Sequence, residues 1–431
     1  MSQLINLSKK RLLNPKKSVD QLLTFNQHKI RLGLSRINKV IKKLKINQKP
    51  NVNYLTVNGT SAKNSIIQIF KSILIKHRQR YAATYSPHLV SITERYEHNQ
   101  KFIKLNKLKN IFSKVAKYKN LTHFEKLVVA FGVYIKDFKL DWAIGEYGLF
   151  GRLDGIRALF NKPNYHIISP ISWDHLNWTK TKKRNFKTLK EIVFEKTSFI
   201  KSKVYVAKQD PKVLKLIKYN LKKNHSEKFF YDSDFKVIKK NKRYYYKDKL
   251  HYFQIKSNLI GQYMYENMAP AIKLALDNNI PVSAIKRGLL KVDIKGRLQI
   301  VRKGKLLRNL NSKDRLILDG AHNAQQSESL VKVLKEFKFK NKYAVISMIN
   351  SKDPVSFLKP FKGKFNKLYF LDNPEQNNFI PKERLKSVAD KLKIRSEIKE
   401  SISETFKSNK SKTLWLCTGS LYWVGYLLSK N

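Results

Sequence analysis

Short apolar runs that each lead into a polar turn constrain the fold of this chain more than any other sequence feature. Six of them stand out, at residues 54–58, 142–144, 166–171, 316–318, 343–348 and 414–417. Helical patterns, such as 329–337, lie between them. Continuous apolar strands that alternate with amphipathic helices are typical of a parallel sheet. We therefore predict an α/β fold that binds its ligands at the carboxyl ends of the strands, where the polar turns fall.

A change of pattern divides the chain near residue 295. The stretch 201–253 contains a Lys- and Tyr-rich part, 236–253, whose short alternating pieces predict strands and hairpins added to the first domain. A helical segment follows at 261–278, and 291–302 has the pattern of a strand or linker. We predict two domains, residues 1–295 and 296–431.

The charge of the chain has two readings. Lysine and arginine number 89 against 31 aspartates and glutamates, a formal net charge of +58. Such a balance is typical of proteins that bind nucleic acid or membrane surfaces. The lysines, however, are spread along the whole chain with many Asn and Ile residues, which favours solvated surfaces over one dedicated binding face. A hydrophobic content of 42% excludes a disordered polymer, and the single cysteine, Cys417, excludes an intrachain disulfide or a cysteine-based zinc site.

Neither a signal peptide nor a membrane span is predicted. Residues 1–17 lack the apolar core of a signal peptide. The most apolar stretches, 127–135 and 414–428, are too short or too polar to cross a bilayer. We therefore expect a soluble cytoplasmic protein with no membrane partner.

Residues 59–65 carry the skeleton of a phosphate-binding loop, between an apolar run and a helical pattern. Such a loop needs backbone N–H groups around a phosphate, a lysine on the β- and γ-oxygens and a hydroxyl for Mg²⁺. Gly59, Lys63 and Ser65 supply these groups, although Ala62 stands where a glycine is expected. On these residues alone, an ordinary strand–helix turn is an equal alternative.

Other polar clusters also follow apolar runs. They are YSPHLVSITER at 85–95, EYGLFGRLD at 146–154, SWDH at 172–175, DGAHN at 319–323 and TGSLY at 418–422. A carboxylate at the end of a buried strand, as at Glu146, is well placed to hold Mg²⁺, and His175 follows another strand end. Taken singly, Glu146 has the alternative of a turn or capping acid, and His175 that of a structural histidine.

In their order, these motifs resemble those of the folylpolyglutamate synthase/dihydrofolate synthase family, a branch of the Mur-ligase-like ATP-dependent amide ligases. The family shows GTNGKGS, SPHL followed by ER, EVGLGGRLD, DH, EKAGI, GR(F/L), DGAHNP and TGSLY. This chain carries GTSAKNS, SPHLVSITER, EYGLFGRLD, SWDH, EKTSFI, GRLQ, DGAHNA and TGSLY in that order. The resemblance covers about residues 34–426. It implies a P-loop NTPase-like N-terminal domain with a parallel sheet and a smaller Rossmann-like C-terminal α/β domain.

The resemblance also implies an activity. A family member uses ATP to form an acyl phosphate and then joins L-glutamate to dihydropteroate, to the γ-carboxylate of a folate, or to both. The implied cofactors are ATP and one or two Mg²⁺ ions, with a carbamylated lysine near the metal. The implied protein is a monomer without a nucleic-acid partner.

Roles for individual residues follow from the same resemblance. The triphosphate would lie on Gly59, Thr60, Ser61, Ala62, Lys63, Asn64 and Ser65, with Lys63 on the β- and γ-oxygens. Mg²⁺ would be held by Ser65, Ser86, Glu146 and His175. Lys196 matches the lysine that the family carbamylates, and ATP would also contact Asn267, Arg297 and Asp319. His322 and Asn323 would help to orient the nucleotide or the acyl phosphate.

Several residues depart from the family pattern. Ser61, Ala62 and Asn64 replace Asn, Gly and Gly, and Phe150 replaces another Gly. A positive φ at Ala62 would be costly without glycine. Lys196 follows His175 at a longer spacing than in the family, so its assignment depends on the local Glu-Lys pair.

Two other functions stay open on the sequence. One is a divergent Mur-like ligase that joins an amino acid to another carboxylate. The other is a basic nucleic-acid-binding protein, which would need clustered charge and aromatic side chains on an exposed platform.

Overall fold

The computed structural model describes residues 31–173, 188–406 and 412–431, and these divide into two compact units. The first unit is formed by the described residues of 1–86, 92–256 and 266–290. The second unit is formed by Pro87–Ser91, Ser257–Tyr265 and the described residues of 291–431. The chain therefore leaves the first unit and returns to it twice before it enters the second unit for the last time. The predicted boundary near residue 295 stays a prediction.

An eight-stranded sheet forms the centre of the first unit. Its strands are β1 (Asn53–Asn58), β2 (Tyr81–Thr84), β3 (Glu97–His98), β4 (Lys101–Phe102), β5 (Trp142–Glu146), β6 (Tyr165–Ile168), β7 (Lys203–Val206) and β8 (Lys228–Phe230). They lie in the order β4-β3-β2-β5-β1-β6-β7-β8. The run from β2 to β8 is parallel, and only the pairings β2–β3 and β3–β4 are antiparallel. Strands β1 and β5 are almost wholly buried, which explains their continuous apolar sequences.

Nine described helices belong wholly or mainly to this unit. They are α1 (Ser35–Lys43), α2 (Lys63–Lys76), α3 (Leu105–Ala116), α4 (His123–Ile135), α5 (Gly155–Leu159), α6 (Leu189–Thr197), α7 (Pro211–Leu221), α8 (Gln262–Asp277) and α9 (Val282–Leu289), with a 3₁₀ turn at Ile92–Arg95. Helix α8 begins in the segment Ser257–Tyr265 of the second unit. Helices α4 and α6 each begin with a reciprocal capping box, Thr122 with Glu125 and Thr188 with Glu191.

A separate three-stranded antiparallel sheet completes the first unit. Its strands β9 (Phe235–Lys240), β10 (Arg243–Asp248) and β11 (Tyr252–Ile255) lie in the order β11-β10-β9. The hairpins expected within 236–253 are present. The rest of the stretch that began at residue 201 differs from the expectation, because it contains helix α7 and contributes β7 and β8 to the main sheet.

The second unit is a six-stranded sheet with helices. Its strands are β12 (Gln299–Val301), β13 (Arg315–Leu318), β14 (Asn341–Ile346), β15 (Lys367–Phe370), β16 (Ser396–Ile398) and β17 (Thr413–Thr418), in the order β12-β13-β17-β14-β15-β16. Only β12 is antiparallel to its neighbour. The helices are α10 (Ala324–Leu334), α11 (Pro354–Leu358), α12 (Lys382–Lys391), α13 (Ile402–Thr405) and α14 (Leu421–Lys430), with 3₁₀ turns at Lys305–Leu307 and Lys359–Phe361.

The predicted α/β fold with parallel sheets is confirmed, and two details differ from the sequence patterns. The helix expected at 329–337 begins earlier, at Ala324, because the side chain of Asn323 caps it by accepting from the N–H of Gln326. The apolar stretch 127–135 is part of α4, most of whose side chains are buried. In the described part of the chain, no helix combines the length and the apolar character that a bilayer crossing needs.

Candidate functional site

The carboxyl ends of β1, β5 and β6 lie next to each other in the first sheet, and three of the sequence motifs begin there: the 59–65 loop, the motif that starts at Glu146 and the turn that leads to residue 172. Strand β1 lies between β5 and β6, with Val57 opposite Glu146 and Asn58 opposite Ile168. The loop after Asn58, the carboxylate of Glu146 and the turn after Ile168 therefore lie side by side. This is the arrangement that the strand-end rule predicts for ligand binding in α/β sheets.

The first part of the phosphate-loop candidate is fixed to the turn after β6. The N–H groups of Thr60 and Ser61 donate to the carbonyl oxygen of Pro170 at 2.9 and 3.1 Å. At Gly59, with φ of +141°, a Cβ would lie 2.0 Å from the Oγ of Ser169. Only glycine fits so close an approach, so the first glycine of the motif is required by packing as well as by backbone angle.

Ala62 adopts the left-handed conformation that makes alanine costly. Its φ is +63° and its ψ is 2°, and it precedes helix α2 without a side-chain cap. The first-turn N–H groups of a helix have no acceptor within that helix, and they carry the positive end of its dipole. Together, these features make the start of α2 suitable for a phosphate group.

Lys63 and Glu146 face each other at this edge. The Nζ of Lys63 donates to the carbonyl oxygen of Gly59 at 3.3 Å and lies 3.9 Å from the Oε1 of Glu146. The other oxygen of Glu146 accepts the N–H of Ser86 at 3.1 Å. Glu146 and Ser65 are both buried, at 5% and 4% exposure. Carboxylate and hydroxyl oxygens are hard donors, so Glu146, Ser65 and Ser86 have the chemistry that Mg²⁺ prefers.

Lys196 lies beside the phosphate-loop candidate. It is 4% exposed, and its Nζ donates to the carbonyl oxygen of Gly59 at 2.9 Å. Its amine also lies 5.7 Å from the centre of the Phe150 ring. The neighbouring Glu195 accepts three bonds from Arg152, two from its Nε at 3.0 Å and one from its Nη2 at 2.8 Å. The Glu-Lys pair of the EKTSFI motif is thus held by the two loops that precede it in the chain.

Asn58 is a central residue of this site that the sequence reasoning missed. Its side chain is 1% exposed and uses both of its ends. The Nδ2 donates to the carbonyl oxygens of Phe150 and Lys196 at 2.7 and 2.8 Å, and the Oδ1 accepts the N–H of Gly59 at 2.7 Å. One amide therefore ties three motifs together. The available signal was a polar residue at the last position of β1, directly before the first glycine of the loop.

The turn after β5 contains a second left-handed residue and a buried acid. Phe150 has φ of +56° and is 2% exposed. Asp154 caps helix α5 through the N–H of Ile156 and also accepts from the N–H of Leu149. Burial raises the pKa of Asp154 to about 7, although these bonds favour the ionised form. Asp154 is therefore a capping acid, whereas the sequence left that alternative open for Glu146.

A buried ionic cluster lies behind Ser86 and was also missed. Lys71 of α2 pairs with Glu97, and both are about 5% exposed or less. The hydroxyls of Tyr81 and Tyr85 donate to the same carboxylate at 2.5 and 2.8 Å. Burial and the Glu97 charge raise the pKa of both tyrosines, so they stay protonated donors. The cluster fixes the residue that immediately precedes Ser86.

In the second unit, the DGAHN motif forms a loop after β13. The two carboxylate oxygens of Asp319 accept the N–H groups of Leu298 and Ala321, each at 2.8 Å. Burial raises the pKa of Asp319, and the nearby charge of Arg297 opposes that effect. The Nδ1 of His322 lies 2.8 Å from the carbonyl oxygen of Gly320. Asp319 thus connects the GRLQ and DGAHN motifs through the backbone.

The SPHL motif is divided between the two units. Ser86 belongs to the first unit, and Pro87–Ser91 belong to the second. Within the second unit, a Cβ on Gly425 of α14 would lie 2.0 Å from the carbonyl oxygen of Leu89. The helix that begins in the TGSLY motif therefore packs directly on the backbone of the SPHL motif.

The remaining predicted residues belong to different units. Asn267 is buried in α8 and belongs to the first unit, whereas Arg297, Asp319 and His322 belong to the second. His175 lies outside the described residues. Within the described ranges, no group of three or more His, Cys, Asp or Glu side chains is placed to hold a metal.

Comparisons with known proteins agree with the motif order. Over 422 residues, the chain is 25% identical to a dihydrofolate synthase/folylpolyglutamate synthase of Bacillus subtilis, covering 92% of the chain and 94% of the relative. It is 27% identical to the dihydrofolate synthetase of Saccharomyces cerevisiae, covering 93% and 97%. The solved bifunctional folylpolyglutamate synthase/dihydrofolate synthase of Yersinia pestis, complexed with AMPPNP and Mn, matches with a TM-score of 0.82 at 21% identity, covering 96% and 97%. A search of protein-family profiles found no match. The predicted resemblance is confirmed.

Proposed function

We propose that this chain, which is similar to the folylpolyglutamate synthase/dihydrofolate synthase family in motif order, fold and relatives, is an ATP-dependent ligase that adds L-glutamate to dihydropteroate, to a folate γ-carboxylate, or to both. The proposal rests on one observation: at the carboxyl ends of β1 and β5, the 59–65 loop places Lys63 beside Glu146. The names of the relatives supply the reaction class. With 89 basic residues against 31 acidic ones, the protein suits anionic substrates. We place it in the cytoplasm, as a monomer.

The chemistry of the reaction explains why such an edge is needed. A carboxylate is a poor acceptor for an amine until one of its oxygens becomes part of a leaving group. Transfer of the γ-phosphoryl group from ATP gives an acyl phosphate and ADP. The glutamate amine then attacks the acyl carbon, inorganic phosphate leaves, and the amine loses a proton. Water would also attack the acyl phosphate, so the reacting groups need a site that excludes it.

The nucleotide would occupy the start of α2. The N–H groups of Thr60 and Ser61 are used by Pro170, so the first turn of α2 is the part that offers N–H groups to the phosphates. Lys63 points along the same loop, and its Nζ can exchange the weak 3.3 Å bond to Gly59 for phosphate oxygens. Its charge would then stabilise the charge that develops during phosphoryl transfer.

Glu146, with Ser65 and Ser86, would hold Mg²⁺ at this edge. When bound, the ion would neutralise part of the negative charge of the phosphate oxygens. Glu146 already faces the cation of Lys63 at 3.9 Å and keeps one oxygen on the N–H of Ser86. His175 is proposed as a further ligand on the resemblance alone.

Lys196 is proposed as a carbamylation site. Carbamylation joins CO₂ to a neutral amine, loses one proton and leaves one N–H, which could still donate to the carbonyl oxygen of Gly59, now 2.9 Å from Nζ. The test uses Lys196→Ala, which should lose turnover. Added small carboxylic acids should restore that turnover if the reaction needs a carboxylate at this position. Unrestored turnover argues for a structural lysine instead.

Arg297 and His322 are proposed to act on the nucleotide from the second unit, and Asn267 from the first. Asp319 is proposed to contact ATP as well, and its two backbone bonds also make it a support for the Arg297 turn. Unchanged turnover in a His322→Ala variant would refute the role proposed for His322.

The decisive experiment measures glutamate-dependent ADP release by the full chain, with dihydropteroate and tetrahydrofolate offered separately. We expect release with at least one acceptor, and loss of most turnover in Glu146→Gln. The matched control is Glu227→Gln, because Glu227 is exposed and far along the chain from the motifs. No glutamate-dependent release with either acceptor overturns the proposal. Release that depends on another amino acid supports the alternative of a divergent Mur-like ligase.

A further inference from the structure

One face of the three-stranded sheet β9-β10-β11 has an unusual composition. Side chains alternate between the two faces of a sheet, so the register assigns them without ambiguity. Arg243, Tyr245 and Lys247 of β10 share a face with their partners on the neighbouring strands, Lys236, Ile238, Lys240, Tyr252 and Gln254. The opposite face carries four buried side chains, Phe235, Tyr246, Phe253 and Ile255, beside the exposed Lys239. The first set therefore forms the outer face, which we call the basic face.

The basic face carries concentrated positive charge. Four of its eight side chains are cations, and none is acidic. Lys240, Arg243 and Lys247 are exposed, and Lys236 is half-buried. Among carboxylates in the described ranges, none forms an ion pair with these four cations. This local clustering differs from the even spread of lysine along the sequence.

The register places these cations directly opposite each other. Arg243 is paired with Lys240, and Lys247 is paired with Lys236. Like charges in directly opposed positions destabilise a sheet. The two pairs are four residues apart along β10, or about 13 Å. An anionic ligand that spans both pairs would relieve the repulsion at each of them.

Two tyrosines lie beside and between the cation pairs. Tyr245 belongs to the row between them, and Tyr252 lies next to Lys247 on β11. Their rings stack, with centroids 5.4 Å apart and planes 4° from parallel. Tyr252 is 58% exposed. The outer face of a stacked ring can accept the face of a nucleic-acid base, whatever its identity.

We propose that the basic face binds single-stranded nucleic acid, without sequence preference, as a function separate from the ligase activity. The phosphates would lie on the two cation pairs, and the bases would stack on Tyr245 and Tyr252. The proposal differs from the expectation of no nucleic-acid partner, because the clustered charge and the aromatic platform become visible only in the strand register.

The composition of the face favours this ligand over other polyanions. An acidic peptide would use the cations but has no need of a stacked tyrosine pair. Double-stranded nucleic acid hides the faces of its bases inside the helix, so the rings would have nothing to stack on. An anionic bilayer is recognised by a basic surface with apolar side chains that insert, and the only aliphatic side chain on this face, Ile238, is half-buried.

The test measures the binding of fluorescein-labelled oligouridine to the full chain by fluorescence anisotropy, across a salt series. The charge variant carries Lys236→Gln, Lys240→Gln, Arg243→Gln and Lys247→Gln. Its matched control carries Lys212→Gln, Lys215→Gln, Lys222→Gln and Lys223→Gln, which are exposed positions on and just after α7 of the same unit. The ring variant carries Tyr245→Ala and Tyr252→Ala, and its control is Tyr219→Ala, at a 71% exposed tyrosine of α7.

We expect the charge variant to reduce the slope of log K against log salt by about 3, at roughly 0.7 for each cation removed. We expect the ring variant to weaken oligouridine binding at least about thirtyfold, since each stacked base contributes about 1–3 kcal/mol and two rings are removed. The same ring variant should leave the binding of heparin, a polyanion without bases, unchanged. Thermal melts establish that every variant is folded.

The proposal is overturned if the charge variant and its control lose affinity equally, because binding would then follow net charge alone. It is also overturned if the ring variant binds oligouridine like the wild type, or if duplex nucleic acid or anionic vesicles bind more tightly than the oligonucleotide. None of these results depends on ligase activity, so a failure here leaves the proposed reaction untouched.

Discussion

The two left-handed residues near the phosphate-loop candidate allow a sharp test of backbone strain. Ala62 has φ of +63° and Phe150 has φ of +56°, and both stand where the resembled family has glycine. A left-handed conformation costs a non-glycine residue about 1–2 kcal/mol. Replacement by glycine removes that cost, but it adds about 0.4–1 kcal/mol of unfolded-state entropy.

The two positions should respond to glycine with opposite signs. Ala62 is half-buried, so Ala62→Gly should raise the free energy of unfolding by about 0.5–1 kcal/mol. Phe150 is 2% exposed, and loss of a buried phenylalanine costs about 3–5 kcal/mol. After subtraction of the relieved strain and addition of the glycine entropy, Phe150→Gly should lower the free energy of unfolding by about 2.5–4 kcal/mol.

Chemical denaturation, followed by circular dichroism and by tryptophan fluorescence, measures both effects. Ala116→Gly is the matched control for Ala62, since Ala116 is a half-buried residue at the end of helix α3. Glycine in a right-handed helix should cost about 0.5–1 kcal/mol. If Ala62→Gly lowers the stability as Ala116→Gly does, the strain argument for the loop is refuted.

Three further predictions concern buried polar groups of the first unit. Glu97→Gln leaves the ammonium of Lys71 without its buried partner, and urea denaturation should show a loss of about 3–5 kcal/mol; a loss below about 1 kcal/mol would mean that the pair is solvated. Asn58→Asp sets a carboxylate against two carbonyl oxygens, so we expect a loss of about 2–4 kcal/mol and weaker ADP binding by calorimetry, whereas unchanged values would contradict the network. Burial lowers the pKa of His166 to about 3, below its unfolded value of about 6.5, so its neutral side chain contributes stability above about pH 6.5 and this contribution is lost as the pH falls. His166→Phe should reduce the loss of unfolding free energy between pH 6.5 and pH 4 by up to about 3 kcal/mol. Equal slopes of stability against pH in the two proteins would refute this.

The sequence predicted best those site residues that directly follow a strand, because ligand sites of parallel sheets lie at the carboxyl ends of the strands. The apolar runs predicted the central strands, and the strand-end rule placed the 59–65 loop beside Glu146. The positive φ that would make alanine costly at position 62 is present. In each case, the prediction needed only a local pattern and the geometry common to parallel sheets.

Residues that act through distant partners were not predictable in this way. The amide of Asn58 bonds to residues 92 and 138 positions away, and no local spacing announces those partners. The pairing of Lys71 with Glu97 has the same character, because it depends on how α2 packs against β3. The sequence showed that residues 236–253 are rich in Lys and Tyr, but only the register of three strands shows which of these side chains share one face.

The close approach of Leu89 to Gly425 has a consequence for the order in which the protein is made. The loop 59–65 and Leu89 leave the ribosome early, but the helix that packs on Leu89 lies at Leu421–Lys430, more than 300 residues later in the chain. At about 5–20 residues per second, roughly 20–70 seconds separate the two partners during synthesis. During that interval, the segment Pro87–Ser91 of the nascent chain lacks its contact with helix α14. Ribosome-bound chains that end before β17 should therefore be cut by proteases near Leu89, and the full chain should resist them there.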